Sequence, residues 1–423
     1  MMKNSRLLTI FIIVFVDLLG FGLILPLLPY YAEAYGATAS VVGLLVASYA
    51  AAQLLGAPLL GRLSDRFGRR PILLVSVFGT FVGFLLLALA EPIGQGIAAV
   101  FSIQQANLFI VGVLFLSRIL DGLTGGNISV AQAYIADVTD ESNRARGLGL
   151  IGAAFGLGFI IGPAAGGALS QFGYSVPAYA AAAIAFFNLG QIFFLLPESL
   201  SLEQREAISQ RARPPFTLKA LWQALQRPKV GPLLHVRLFF GLAFATFQTV
   251  FALFAQAIGL QARTTGFVLA YVGILAVITQ GGLIGLLTRR FRENALLISA
   301  LWIMGLSLLG WAFTRNLITL LVLLLPLAVS GGILNTLIQS AISKAVSREE
   351  VGGILGLAAS LEAISRVIAP SLGGFLIQSV GVWSPGVFTA LLMAWTVTFA
   401  YRRIIHPGRL ERLQMEAERA KVA

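Results

Sequence analysis

Asp17, Arg118, Asp121, Glu362 and Arg366 stand inside long apolar runs of this chain. A charge in hydrocarbon is costly unless it is neutralised, paired or hydrated, so such groups point first to ion paths and binding sites. Asp17 follows Arg6 by 11 residues. At about 1.5 Å per helical residue this is roughly 16 Å, close to the middle of a bilayer core. A carboxyl whose surroundings alternate between apolar and charge-compensated can bind and release a proton in turn. Arg118 is its natural partner. Asp121, one turn beyond Arg118 on the same face, reads as a counter-ion or a second titrating group. Glu362 and Arg366 are four residues apart and form an ion pair on one helix face, either structural or turned to a ligand.

Neutral polar residues add to this set. Asn127, Gln248, Gln280, Asn335 and Gln339 can hydrogen-bond a ligand or tie helices together. Phe240, Phe244, Phe247, Phe251 and Phe254 recur at spacings of four and three and form one stripe. Such a stripe is packing, or, if it faces a cavity beside Gln248, a wall for a flat lipophilic or cationic molecule.

The elements that must position these residues follow from composition. Of 423 residues 57% are hydrophobic and only 11% charged, with a mean hydropathy of +0.87. Soluble domains carry roughly 25% charged residues. Cysteine is absent, which excludes disulfides, iron–sulfur clusters and thiolate chemistry. None of the five Lys follows Gly, so the chain has no phosphate-binding loop of the ATPase type. His235 and His406 form no cluster with other ligands, so no metal, cofactor or enzymatic centre is expected.

Twelve membrane-spanning helices are expected, near 7–31, 39–61, 71–90, 108–136, 146–169, 174–197, 233–259, 264–287, 295–313, 317–345, 350–377 and 383–405. The first run carries no small-residue cleavage pattern and reads as a helix, not a signal peptide. The domain organisation is then a six-helix bundle over 1–197, a cytoplasmic linker over 198–232 with an interfacial helix near 218–225, a second bundle over 233–405 and a cytoplasmic tail over 406–423. With the N-terminus in the cytoplasm, that side holds 25 of the 30 Lys and Arg, and the other side only Arg263 and Arg315. The net charge of +12 is therefore a topology signal, and no nucleic-acid partner is expected.

The halves repeat. Gly61-Arg62-Leu63-Ser64-Asp65-Arg66-Phe67 returns as Gly285-Leu286-Leu287-Thr288-Arg289-Arg290-Phe291, and Gly162-Pro163-Ala164-Ala165-Gly166-Gly167 returns as Ala369-Pro370-Ser371-Leu372-Gly373-Gly374. Six spans separate equivalent positions, so the repeats are parallel, with 91–107 an extra external segment in the first. Gly158, Gly162 and Gly166, one turn beyond Gly152 and Gly156, strip one face of span 5 of side chains, so that a neighbour can approach closely. Pro163 bends it.

The stretch Gly61-Arg62-Leu63-Ser64-Asp65-Arg66-Phe67-Gly68-Arg69-Arg70 resembles the loop signature between spans 2 and 3 of the major facilitator superfamily. Leu116 to Gly122, with Arg118, is similar to that family's span-4 motif. Gly158 to Gly167 resembles its antiporter Gly-Pro motif. Asp17 to Pro29 resembles the span-1 signature of twelve-helix drug/proton antiporters, tetracycline exporters among them.

The resemblance implies an all-α fold of two six-helix bundles around a central cavity that opens alternately to each side. It implies proton coupling through Asp17 and Arg118, while Asp121 occupies a position that varies in the motif, and it implies a cytoplasmic gate of Gly61, Asp65, Arg66, Gly68, Arg69 and Arg70. In that gate Asp65 would meet the start of span 11 near Gly352-Gly353, and Arg69 would pair with Asp137. Arg289 stands where Asp65 has its counterpart, so gating contacts should be asymmetric. Span 3 has no acidic residue between Val77 and Ala90, a departure that speaks against tetracycline itself as substrate.

The expectation is a monomeric secondary transporter of the cell (inner) membrane, with both termini cytoplasmic. It exchanges protons for a lipophilic or amphipathic small molecule. The alternative is a symporter or facilitator for a sugar or organic acid. A scaffold that kept the fold without transport is the reading from another class.

Overall fold

A computed structural model describes residues 2–209, 218–347 and 350–406. The 210–217 part of the linker and the 407–423 part of the tail lie outside the described residues. Among the described residues there are helices and no strands. Twelve of these helical segments are long and apolar enough to cross a membrane, Leu7–Ala34, Ala39–Phe67, Arg69–Ala88, Asn107–Val138, Gly147–Phe172, Val176–Leu195, Gly231–Ala257, Ala262–Arg290, Glu293–Ala312, Leu317–Lys344, Val351–Ser379 and Ser384–Ile405. They are spans 1 to 12 below. Hydrogen bonds internal to each helix are what apolar surroundings demand, since the backbone finds no water there.

The chain divides into two compact units whose border does not follow the linear sequence. The first comprises 1–213 and 252–273, the second 214–251 and 274–423. The residues 252–273 at the junction of spans 7 and 8 therefore belong with the first six spans, because small residues let the chain come close. A methyl added at Gly266 would lie 2.2 Å from the Pro163 carbonyl oxygen, and one at Gly167 2.9 Å from that of Arg263. Tyr30 fastens the same place through its hydroxyl, 2.9 Å from the Leu260 carbonyl and 2.7 Å from the Thr265 hydroxyl.

In the first unit, span 1 lies along span 5 through the glycine face. A methyl at Gly162 would sit 2.6 Å from Gly22 Cα, and one at Gly166 2.3 Å from the Leu23 carbonyl oxygen. Such backbone-to-backbone approach supplies the dispersion that holds helices together where lipid removes the hydrophobic drive. Ile10, Leu73, Tyr134 and Ile192 from spans 1, 3, 4 and 6 meet in one buried cluster. The segment after span 3 forms a helix, Ala90–Val100, whose Gly94 abuts the Ile110 backbone of span 4.

In the second unit, spans 9, 10 and 12 pack together around Met304, Leu308, Leu324 and Met393, all fully buried. The linker contributes a short helix, Leu218–Gln226.

Besides span 1, which turns between Ile24 and Leu28, two spans that the sequence presents as unbroken are interrupted. Span 4 stops at Thr124 and restarts at Asn127 around the pair Gly125-Gly126. The carbonyls released there find side-chain donors: Gln53 Nε2 reaches Gly125 O at 3.1 Å, and the Ser76 hydroxyl donates to Thr124 O. Span 8 widens to a π-helical turn at Thr279–Leu283, which contains Gln280, Gly281 and Gly282. Both interruptions lie next to polar residues, where discontinuous helices and π turns commonly build binding sites.

Candidate functional site

The break in span 4 sets the geometry of the first unit. Arg118 and Asp121 lie before it, both about 3% exposed, and form an ion pair at 3.2 Å. Arg118 also binds the Ser117 hydroxyl at 3.1 Å and lies over the Phe84 ring of span 3 at 5.4 Å. Thr80 of span 3 lies beside Asp121. Asn127 begins the second piece of the span, and its Nδ2 donates to the Asp17 carboxylate. Its Oδ1 accepts the Ile128 backbone N–H at 2.8 Å, which fixes the amide orientation.

Asp17 is thus partnered by a neutral amide, not by the Arg118 guanidinium expected from sequence. Asn127 faces span 1 while Arg118 turns to span 3, since nine residues, about two and a half turns, put the two on opposite sides of span 4. Asp17 itself is only partly buried. A carboxyl whose hydrogen-bond partner is a neutral amide is chemically suited to exchange a proton, whereas the buried Arg118–Asp121 pair neutralises itself.

A second cluster sits where spans 2 and 3 join. Arg69 is 3% exposed, and its guanidinium binds Asp65 at 2.6 Å, the Ser64 hydroxyl at 2.7 Å and Asp137 at 2.9 Å. Gly68 makes the turn at φ +103°, a conformation that side chains with a Cβ rarely adopt. Arg70 donates to the Phe193 carbonyl at 2.5 Å, while Arg66 is exposed over Phe67. Gly61 has open space beside it.

The residue that sequence reasoning missed here is Glu198. Its carboxylate accepts the backbone N–H groups of Arg69 at 2.9 Å and Arg70 at 3.1 Å, capping the start of span 3. Arg205 backs it at 3.4 Å and also donates to the Phe67 carbonyl. An anion at a helix N-terminus satisfies amides that have no partner within the helix. Only its place just after Pro197, at the end of span 6, hinted at it. In the second repeat Arg289 and Arg290 are exposed.

The second unit holds the other polar group. Glu362 binds Arg366 Nη2 through Oε1 at 2.6 Å, and Arg237 Nη2 through Oε2. Arg237 Nη1 in turn donates to Asn335 Oδ1 at 2.6 Å. Arg237 is a member that the spacing of Glu362 and Arg366 did not reveal. Next to it opens a cavity of about 420 Å³ lined by Gln280, Asn335, Thr336, Gln339, Ser340 and Ser343, with Leu355 its apolar wall.

The phenylalanine stripe lies elsewhere. Phe240, Phe247 and Phe251 are buried, Phe247 stacking edge-on against Trp311 at 5.1 Å. Phe254 is buried too. Only Phe244 and the adjacent Gln248 keep surface of their own. The stripe is therefore packing and offers no continuous aromatic wall. Among the described residues, no group of three or more His, Cys, Asp or Glu is placed to hold a metal ion.

A family model described as Major Facilitator Superfamily matches residues 10–370 and again 281–422. The chain belongs to the major facilitator superfamily. It is 31% identical to the class C tetracycline resistance protein of Escherichia coli over 96% of this chain and 97% of that protein. It is 30% identical to multidrug resistance protein 2 of Bacillus subtilis (strain 168), over 91% and 92% of the two chains. Among solved structures, a mutant of the nucleoside transporter NupG superposes with a TM-score of 0.70 at 13% identity, covering 95% of this chain and 100% of that one. This member of the superfamily is a multi-pass membrane transporter with the superfamily's fold.

Proposed function

We propose that this transporter is a proton antiporter of the cell (inner) membrane, exporting a lipophilic or amphipathic small molecule by alternating access. The observation that carries the reading is Asp17, a carboxyl deep in span 1 whose hydrogen-bond partner is a neutral amide. Its partner is the neutral Asn127, and the Arg118 guanidinium is held by Asp121. Inward proton movement would load Asp17, and release on the other side would reset it. Names among its relatives, a tetracycline and a multidrug resistance protein, support export of foreign molecules.

In this reading the Asp65–Arg69–Asp137 cluster is the cytoplasmic gate, with Glu198 holding its helix start in place. The excess of Lys and Arg on one side supports cytoplasmic termini. The transporter works as a monomer, and it moves its substrate without converting it.

The test is reconstitution of the purified chain in liposomes that enclose a pH-sensitive dye under an imposed pH gradient. Addition of lipophilic compounds should evoke proton movement. Equilibration of sugars with no proton movement from any compound would replace this reading with a facilitator.

A further inference from the structure

We propose that the Arg237–Glu362–Arg366 cluster binds an anionic head group of the transported molecule, a carboxylate being the simplest. The proposal rests on the transport reading and deepens it by fixing the sign of the substrate's charge.

The charge balance of the second unit carries it. Within the membrane-spanning interior of spans 7 to 12, away from their ends, Glu362 is the one carboxylate, and Arg237 and Arg366 are the two guanidinium groups. Each oxygen of Glu362 is engaged by a different arginine. The cluster therefore keeps one net positive charge. Glu362 lies 11 residues into span 11, which at about 1.5 Å per residue is roughly 16 Å from its start, near mid-membrane. A net charge at that depth is tolerated when it faces water or a counter-ion.

Exposure says which side faces outward. The Arg237 side chain is 11% exposed, and it tethers the cluster to span 10 through Asn335. Arg366 is 56% exposed, with one of its nitrogens on Glu362. A guanidinium left so open in the middle of a span belongs on a wetted surface, and its planar fork matches a carboxylate with two parallel hydrogen bonds.

The neighbouring cavity is lined to suit the same ligand. Asn335 gives its carbonyl to Arg237, so its NH2 half remains to face a ligand. Gln280 and Gln339 add amide N–H donors, and Ser340 and Ser343 add hydroxyls. No carboxylate lines this cavity. A lipophilic cation would meet the net positive field of the two arginines, which disfavours it. An amphipathic anion would meet complementary charge. Glu362 moderates the attraction, which lets a transported anion leave as well as enter.

The experiment compares three aromatic probes of one shape: 2-naphthoate, 2-naphthamide and 2-(aminomethyl)naphthalene. Binding to the detergent-purified full-length chain is measured by quenching of tryptophan fluorescence, and proton movement separately in the dye-filled liposomes. 2-Naphthoate should bind at least tenfold more tightly than the other two. Arg366→Gln should weaken it at least tenfold, and Arg366→Lys should recover most of the loss, which separates charge from damage to the helix. Glu362→Gln, which raises the net charge, should tighten it several-fold.

Tighter binding of the amine or the amide, absence of binding by all three, or indifference of 2-naphthoate to Arg366→Gln would overturn the proposal. In the first case, protons moved by the amine would leave antiport standing. Binding of 2-naphthoate that depends on Arg366, without proton movement, would uphold the anion site and remove the antiport reading instead.

Discussion

Asn127 at the restart of span 4 donates its side-chain amide to the carboxylate of Asp17 on span 1. This bond joins two helices that are each interrupted nearby, span 4 at Gly125-Gly126 and span 1 between Ile24 and Leu28. Asn127 opens the second piece of span 4, whereas Asp17 lies within the regular helix of span 1 that ends at Ile24. The Arg118–Asp121 pair, fully enclosed, braces span 4 against span 3.

Asn127→Ala removes the neutral amide donor from Asp17. A hydrogen bond to a charged group contributes about 1.5–3 kcal/mol, so proton-driven transport should fall roughly tenfold or more. Asn127→Gln should restore less than half of wild-type activity, because the longer amide cannot keep its bond to the Ile128 N–H. Initial rates of substrate efflux at a fixed pH gradient give the comparison.

Glu198→Ala leaves the Arg69 and Arg70 amides without their cap and Arg205 without its counter-ion. Loss of a charge-assisted helix cap costs about 2 kcal/mol. The melting temperature in detergent should drop by several degrees. Glu198→Asp should recover part of it.

Gly162→Ala and Gly152→Ala form a matched pair on one helix. The first places a methyl 2.6 Å from Gly22 Cα, the second meets nothing within 4 Å. Overpacking costs about 1–3 kcal/mol, while Gly to Ala in an open helical position gains roughly 0.5–1 kcal/mol. Thermal unfolding should move down for the first and slightly up for the second.

Phe247→Ala should cost about 3–5 kcal/mol of stability, since its ring is enclosed against Trp311. The protein that does fold should keep its substrate preference. A changed ranking of substrates at unchanged stability would put the stripe in the substrate path after all.

The sequence made the twelve spans readable because length and hydropathy alone decide whether a helix crosses a bilayer. The span 1–5 contact was half readable. Gly158, Gly162 and Gly166 announce a bare face, but only the fold shows that Gly22 and Leu23 meet it.

Residues whose role depends on distant partners stayed hidden. Glu198 acts 129 positions away on Arg69, and Arg237 acts 125 positions away on Glu362. No local pattern encodes either. The partner of Asp17 was not legible, because no local pattern says which face of span 4 meets span 1. The Gly125-Gly126 break is legible as two glycines but not as a break.

Proton antiport through Asp17 is tested most directly by Asp17→Asn in liposomes, with substrate exchange at equal pH and accumulation under a pH gradient measured side by side. The amide keeps the shape of the site and removes its titration. Exchange should persist within a few-fold of wild type, and gradient-driven accumulation and its accompanying proton movement should vanish. Accumulation that continues in Asp17→Asn at the wild-type rate would contradict a coupling role for this residue.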